Sequence, residues 1–94
     1  MTYKLKFLPS ALKEWKKLAS PIQQQFKKKL KTCLEQPHNP KNKLRQIKNA
    51  YKIKLRSAGY RLVYEVDDTT ITVFVISVGK RENALVYKKA SQRK

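Results

Sequence analysis

An α+β fold, with a helical hairpin packed on one face of a small antiparallel sheet, is what this sequence predicts. Three observations carry the prediction. Residues 3–7 alternate apolar and cationic, residues 11–34 carry apolar stripes at helical spacing, and residues 51–78 return to strand-like patterning broken by turn residues. A strand, two helices and then a meander of strands segregate their helices to one side of the sheet.

Each element has its own signal. Tyr3, Leu5 and Phe7 point one way, with Lys4 and Lys6 between them. Pro9-Ser10 ends that strand, and Ser10 is a candidate helix cap. Leu12, Trp15 and Leu18 then recur at helical spacing, with Lys13, Lys16 and Lys17 turned outward. Ser20-Pro21 reads as a capping serine followed by proline at the first helical position. Ile22, Phe26, Leu30 and Leu34 form a stripe at every fourth residue, opposite Lys27, Lys28 and Lys31. That lysine face is either solvated or a phosphate-binding surface.

Pro37 and Pro40 mark a loop, and Leu44 to Lys48 is a short strand or irregular. Tyr51, Ile53 and Leu55 alternate with Lys52, Lys54 and Arg56. After the turn Ser57-Ala58-Gly59, Tyr60, Leu62, Tyr64 and Val66 alternate with Arg61, Val63 and Glu65. Asp67 to Thr70 is a second turn. Ile71 to Val78 is almost wholly apolar and β-branched, as expected of a central strand buried on both faces. Glu82 to about Gln92 reads as a short C-terminal helix. No repeat or linker divides the chain, so residues 1–94 form one domain.

Composition narrows the function. Lys+Arg is 23 against Asp+Glu of 6, a formal net charge of +17. Such a chain repels itself and calls for an anionic partner: nucleic acid first, then a membrane surface or an acidic protein. A hydrophobic fraction of 40% is too high for a disordered basic tail. The first seven residues hold no apolar run of the length a signal peptide or spanning helix needs, which points to the cytoplasm. Cys33 is expected as a small core residue and His38 as a loop residue. One Cys and one His cannot build a zinc site, so no metal and no cofactor are expected.

Register concentrates the cations. An even-length loop between the Tyr51 and Tyr60 strands puts Ile53, Leu55, Leu62 and Tyr64 on the core face. It sets Lys54 opposite Val63 and Lys52 opposite Glu65, with Lys52, Lys54, Arg56 and Arg61 on the other face. Arg81, after Gly79-Lys80, reaches the rim of this face, and the last helix offers Tyr87. Sheets often carry one solvated charged face. Such a face usually mixes signs, and here Glu65 is the single expected anion among at least four cations. Like charges at strand spacing destabilise a sheet, so the cluster suggests a function that tolerates the cost.

RNA suits that cluster. Its own 2′-hydroxyl can attack the neighbouring phosphate, leaving a cyclic phosphate and a free 5′-hydroxyl. The enzyme supplies a base, an acid and positive charge on the phosphate. A lysine serves as base only with its pKa well below about 10.4, and neighbouring cations act in that direction. Arginine is a poor acid and serves mainly as an electrostatic clamp. Tyr87, beside such a cluster, can stack on a splayed base.

The strings Ala11–Trp15 (ALKEW), Tyr51–Ser57 (YKIKLRS), Gly59–Tyr64 (GYRLVY) and Val73–Glu82 (VFVISVGKRE), followed by Val86-Tyr87, resemble the RelE family of bacterial toxin–antitoxin systems across nearly the whole chain. The resemblance implies a microbial ribonuclease-like α+β fold and a ribosome-dependent endoribonuclease that cuts messenger RNA in the A site. It implies Lys52 and Lys54 as catalytic, Lys54 as base, Arg61 as phosphate stabiliser, Arg81 as acid or leaving-group stabiliser, and Tyr87 as the stacking residue. Arg45 matches a further position implicated in activity. Arg56, Lys80, Lys27, Lys28 and Lys31 then become RNA contacts, including contacts to 16S ribosomal RNA. The expected partners are the 70S ribosome, messenger RNA and a RelB-like antitoxin, with operator DNA bound only through the antitoxin and no membrane. Relatives that use a Glu and a His as acid and base differ from this chain, whose tail reads Lys88 to Lys94 with neither. Two other functions fit the fold class: a gyrase-inhibiting ParE-like toxin and a non-catalytic basic RNA-binding protein.

Overall fold

In the computed structural model the described residues are 2–44, 47–55 and 58–80, with the backbone alone at Lys80. The elements are β1 (Lys4–Phe7), α1 (Pro9–Lys16), α2 (Ser20–Glu35), a 3-10 turn at Pro40–Asn42, β2 (Ala50–Leu55), β3 (Tyr60–Asp67) and β4 (Thr72–Lys80). The C-terminal helix expected from Glu82 onward lies outside the described residues.

The sheet order is β1-β4-β3-β2. The two pairs in the meander are antiparallel, but β1 pairs parallel with β4. The sheet is therefore mixed, not wholly antiparallel. The helical hairpin is the reason: it carries the chain across one face, so that the later strand β4 can run alongside β1 in the same direction. β4 lies between β1 and β3, and both of its faces are buried from Thr72 to Val78 apart from the half-buried Phe74. It begins at Thr72, one residue later than the apolar run suggests, because Ile71 sits in the turn at φ 52°. That conformation is costly for a β-branched residue.

Neither helix is capped by its serine. The N-caps are Leu8 and Ala19, both extended, and neither helix has a side-chain cap bond. Pro9 and Pro21 mark the starts instead, since proline loses nothing where the first N–H groups have no intrahelical partner. In α1 the core side is Ala11 and Trp15, whereas Leu12 stays 37% exposed. Gln23 Nε2 donates to Trp15 O at 2.8 Å and ties the two helices together.

The main core lies between the hairpin and one sheet face. Trp15, Phe26, Leu30, Tyr51, Ile53, Leu55, Leu62 and Tyr64 belong to it. Burying a side chain such as Phe26 or Leu30 contributes about 1.5–3 kcal/mol. A second, smaller cluster of Leu44, Ile47, Ala50, Val63 and Ile76 covers part of the opposite face. Of the 44–48 segment, Leu44 and Ile47 act as apolar cover, and they join β2 through Leu44 N to Ala50 O at 2.9 Å and Ala50 N to Ile47 O at 3.4 Å, beside the isolated bridge of Lys43 to Tyr51.

Candidate nucleic-acid interface

β2 and β3 place the cations. The loop between them is even in length, and the faces fall as the pattern requires. The register differs by two residues: Lys54 pairs with Arg61, Lys52 with Val63, and Glu65 with Ala50. Lys54 is therefore not opposite Val63, and Lys52 is not opposite Glu65. The cause is a tighter turn, in which Gly59 at φ +70° donates its N–H to Leu55 O at 2.8 Å. A two-residue shift keeps every side chain on its face while bringing Lys54 and Arg61 directly across from each other.

The next strand completes the patch. Arg61 pairs onward with Gly79 and Val63 with Ser77. Gly79 puts no side chain beside the guanidinium. Lys52, Lys54 and Arg61 are half-buried, and Arg61 Nε and Glu65 Oε2 are enclosed within the face. Ser77 Oγ is buried with no hydrogen-bond partner among the described residues. Glu14, which the sequence reading left unused, accepts from Val78 N at 3.1 Å and fastens α1 to the end of β4 beside this patch.

The structure brings together Lys52, Lys54 and Arg61. Arg45, Arg56, Arg81 and Tyr87 lie outside the described residues, as does the side chain of Lys80. The helix lysines separate. Lys28 borders a cleft of about 690 Å³ between α2 and β2, which also takes in Lys52 and Lys54. Lys27 and Lys31 border a smaller, mainly apolar cleft of about 210 Å³ beside Phe7 and Leu30. Lys29 and Lys41, which the sequence reading did not single out, line the larger cleft, and Lys29 Nζ donates to Lys54 O at 3.1 Å. The cue was present: Lys27, Lys28 and Lys29 are consecutive, so one of them must turn toward β2.

Cys33 is a free thiol in the wall of that cleft, and burial pushes its pKa up, which suits a packing role. His38 belongs to a different group. Its Nε2 lies 2.8 Å from Asp68 Oδ1 and its Nδ1 3.1 Å from the Tyr51 hydroxyl, while Tyr3 donates to the same carboxylate oxygen at 2.7 Å. The bonds from Tyr3 and then His38 hold the Asp68 carboxyl below its ordinary range, and that carboxylate raises the Tyr3 phenol. This group links the residue before β1, the loop after α2, β2 and the β3–β4 turn. Among the described residues no three His, Cys, Asp or Glu side chains gather as metal ligands would.

Comparison with known proteins agrees with this architecture. The family model for the ParE toxin of the type II toxin–antitoxin system parDE matches residues 5–85. The mRNA interferase toxin RelE of Escherichia coli K12 is 57% identical over 93 residues, which cover 99% of this chain and 98% of that protein. A solved structure of an arginine-to-alanine mutant of E. coli RelE in the free state superposes with a TM-score of 0.92, at 56% identity, over 99% of this chain and 98% of that one. A chain of the intact E. coli RelBE toxin–antitoxin complex superposes with a TM-score of 0.83, at 58% identity, over 86% of this chain and 99% of that one. With the family model spanning most of the sequence and relatives of this identity matching end to end, the chain belongs to the RelE/ParE family of toxins from type II toxin–antitoxin systems.

Proposed function

We propose that this toxin is an endoribonuclease that cuts messenger RNA in the ribosomal A site, without metal or cofactor, and so stops translation. The observation that carries the reading is the direct pairing of Lys54 with Arg61, with Lys52 two residues along on the same face. The name of its relative, an mRNA interferase toxin, supports it.

The roles follow from chemistry. Lys54, as the neutral amine, takes the proton from the 2′-hydroxyl as that oxygen attacks the adjacent phosphorus. Arg61 and Lys52 stabilise the charge that grows on the phosphate oxygens. The bond to the 5′-oxygen breaks, and Arg81 stabilises that oxygen as it takes up a proton from water. The products are a 2′,3′-cyclic phosphate and a 5′-hydroxyl. Tyr87 stacks on a base and holds the strand in line. A positioned base contributes about 10²–10⁴-fold, and a positioned donor to the charged oxygens about 10²–10³-fold. Such a set is weak without help, so the ribosome supplies orientation and free RNA is cut poorly. Arg45, Arg56, Lys80, Lys27, Lys28 and Lys31 contact RNA, ribosomal RNA included.

The matching family model bears the ParE description, and a gyrase-directed toxin on this fold is the second reading. The paired cations favour RNA. A RelB-like antitoxin binds the toxin, consistent with the net charge of +17 and with the RelBE assembly of a relative. Their complex represses the shared operon, with the antitoxin contacting DNA. The site of action is the cytoplasm; among the described residues no helix is long and apolar enough to cross a membrane.

The test is cleavage of a defined message in stalled ribosomes, with EDTA at a level that leaves ribosomes intact. Wild type is compared with Lys54→Ala and Arg81→Ala, and the same RNA is incubated without ribosomes. The expected result is a cut in the A-site codon that falls at least about 100-fold in each variant. A cut indifferent to both substitutions would overturn the mechanism.

A further inference from the structure

The cations do not end at the strand face. The cleft of about 690 Å³ between α2 and β2 is lined by Lys28, Lys29, Lys41, Lys52 and Lys54, with no carboxylate among the described residues of its lining. These lysines come from three elements: α2, the 3-10 turn and β2. A concave surface of one sign focuses potential and concentrates anions. Local sequence does not relieve the repulsion. Four residues either side of Lys28 and Lys29 stand Gln24, Gln25, Thr32 and Cys33, so no acid forms a helical ion pair with them at that spacing.

Three facts point to what fills the cleft. It is continuous with the Lys52 and Lys54 pair, so an occupant reaches those two side chains. Lys29 donates to the carbonyl of Lys54 itself, so the cleft wall and the catalytic strand are joined. Thr32 and Asn42, also in the lining, offer a hydroxyl and an amide that suit a 2′-hydroxyl as well as a phosphate. On the reading of the chain as a ribonuclease, we propose that this cleft binds the backbone of the same RNA strand that is cut, holding the nucleotides on one side of the scissile phosphate. Lys28, Lys29 and Lys41 grip phosphates there without reading bases. The toxin thus carries part of the message track itself, and does not leave all positioning to the ribosome.

The first measurement is anisotropy of a labelled RNA oligonucleotide that is 2′-deoxy at the cleavage position, followed against salt. Lys29→Gln/Lys41→Gln is compared with a control of equal charge loss, Lys16→Gln/Lys17→Gln, at the exposed end of α1. Each lost phosphate contact on a single strand lowers the salt slope by about 0.7, so the cleft variant loses about 1.4. Between 50 and 200 mM salt that is about a sevenfold smaller fall in affinity than wild type shows. The control keeps the wild-type slope. An equal loss in both variants means general charge and overturns the proposal. So does an unchanged slope in the cleft variant, whether or not polyglutamate then binds through the same two lysines.

The second measurement uses ribosomes with messages that end at the A-site codon or extend beyond it on either side. The cleft variant raises KM severalfold on one extended message, with kcat kept, and behaves as wild type on the truncated one. An equal loss on every message would assign the cleft to ribosomal RNA and overturn the proposal. Oligonucleotide binding does not depend on cleavage. A cleft-dependent slope together with a cut indifferent to Lys54→Ala would therefore sink the ribonuclease mechanism while leaving the cleft as an RNA site.

Discussion

Tyr64→Phe removes one oxygen and tests how the loop beside the cleft is held. Tyr64 lies on β3, is 1% exposed, and donates from its hydroxyl to Pro37 O at 2.9 Å in a buried setting. Its ring stacks on Tyr51 with centroids 5.5 Å apart and planes 19° from parallel. Burial, with Cys33 and Tyr51 nearby, pushes the phenol far above the ordinary tyrosine range, so the donor stays protonated at any working pH. Phenylalanine keeps the ring and its packing but leaves the Pro37 carbonyl buried without that donor. An orphaned buried acceptor costs about 1–3 kcal/mol. For a chain of 94 residues each kcal/mol moves Tm by about 4–8 °C, so the expected fall is roughly 4–24 °C. Thermal and urea unfolding followed by circular dichroism measure it, with the urea m-value unchanged. Cleavage in ribosomes at 25 °C stays near wild type, because the folded fraction is still high. Tyr51→Phe serves as comparison. Its hydroxyl meets the partly exposed ring of His38, where water can replace the bond, and the loss is below about 1 kcal/mol. A Tm within about 2 °C of wild type for Tyr64→Phe would mean that this bond does not anchor the loop. Unchanged stability with lost cleavage would place Tyr64 in the chemistry and refute the anchoring role.

Two further perturbations separate backbone from charge effects. Gly59→Ala meets no atom within 4 Å, so its cost is conformational: forcing alanine to φ +70° costs about 1–2 kcal/mol. It lowers Tm by several degrees and, by loosening the turn that sets Lys54 against Arg61, lowers kcat as well; an unchanged Tm would refute the strain argument. Asp68→Asn acts through pH. The Asp68 pKa is depressed in the fold by its bonds to Tyr3 and His38, so its contribution is present above the unfolded value of about 3.9 and lost as pH falls through the lower folded value. The urea midpoint of wild type therefore drops more steeply than that of Asp68→Asn on acidification below about pH 4. Parallel acid limbs would show that the Tyr3 and His38 bonds do not stabilise the folded carboxylate.

Much of this molecule was legible because period encodes face. Strict alternation at Tyr51, Ile53 and Leu55 placed Lys52 and Lys54 opposite the core, and the even loop kept Arg61 with them. Apolar spacing in α2 found Phe26 and Leu30, both buried. Errors arose where two choices share one pattern. Registers two residues apart leave the same faces buried, and only the turn at Gly59 decides between them. In α1, Ala11 and Leu12 are adjacent, and the approach angle of the helix decides which one faces the core. Ser10 after Pro9 and Ser20 before Pro21 both look like caps, yet both helices begin without that bond.

Composition and periodicity carried the fold class, the net charge and the sorting of cations to one sheet face. All three depend on residue type and spacing along a single strand or helix. The parallel pairing of β1 with β4, the pairing of Lys54 with Arg61 and the enclosure of Lys28, Lys29 and Lys41 with the strand lysines were decided only in three dimensions. Each depends on how separate elements approach one another. Packing of the helical hairpin on the sheet and the tightness of one turn set that approach, and no repeat within a single element records it.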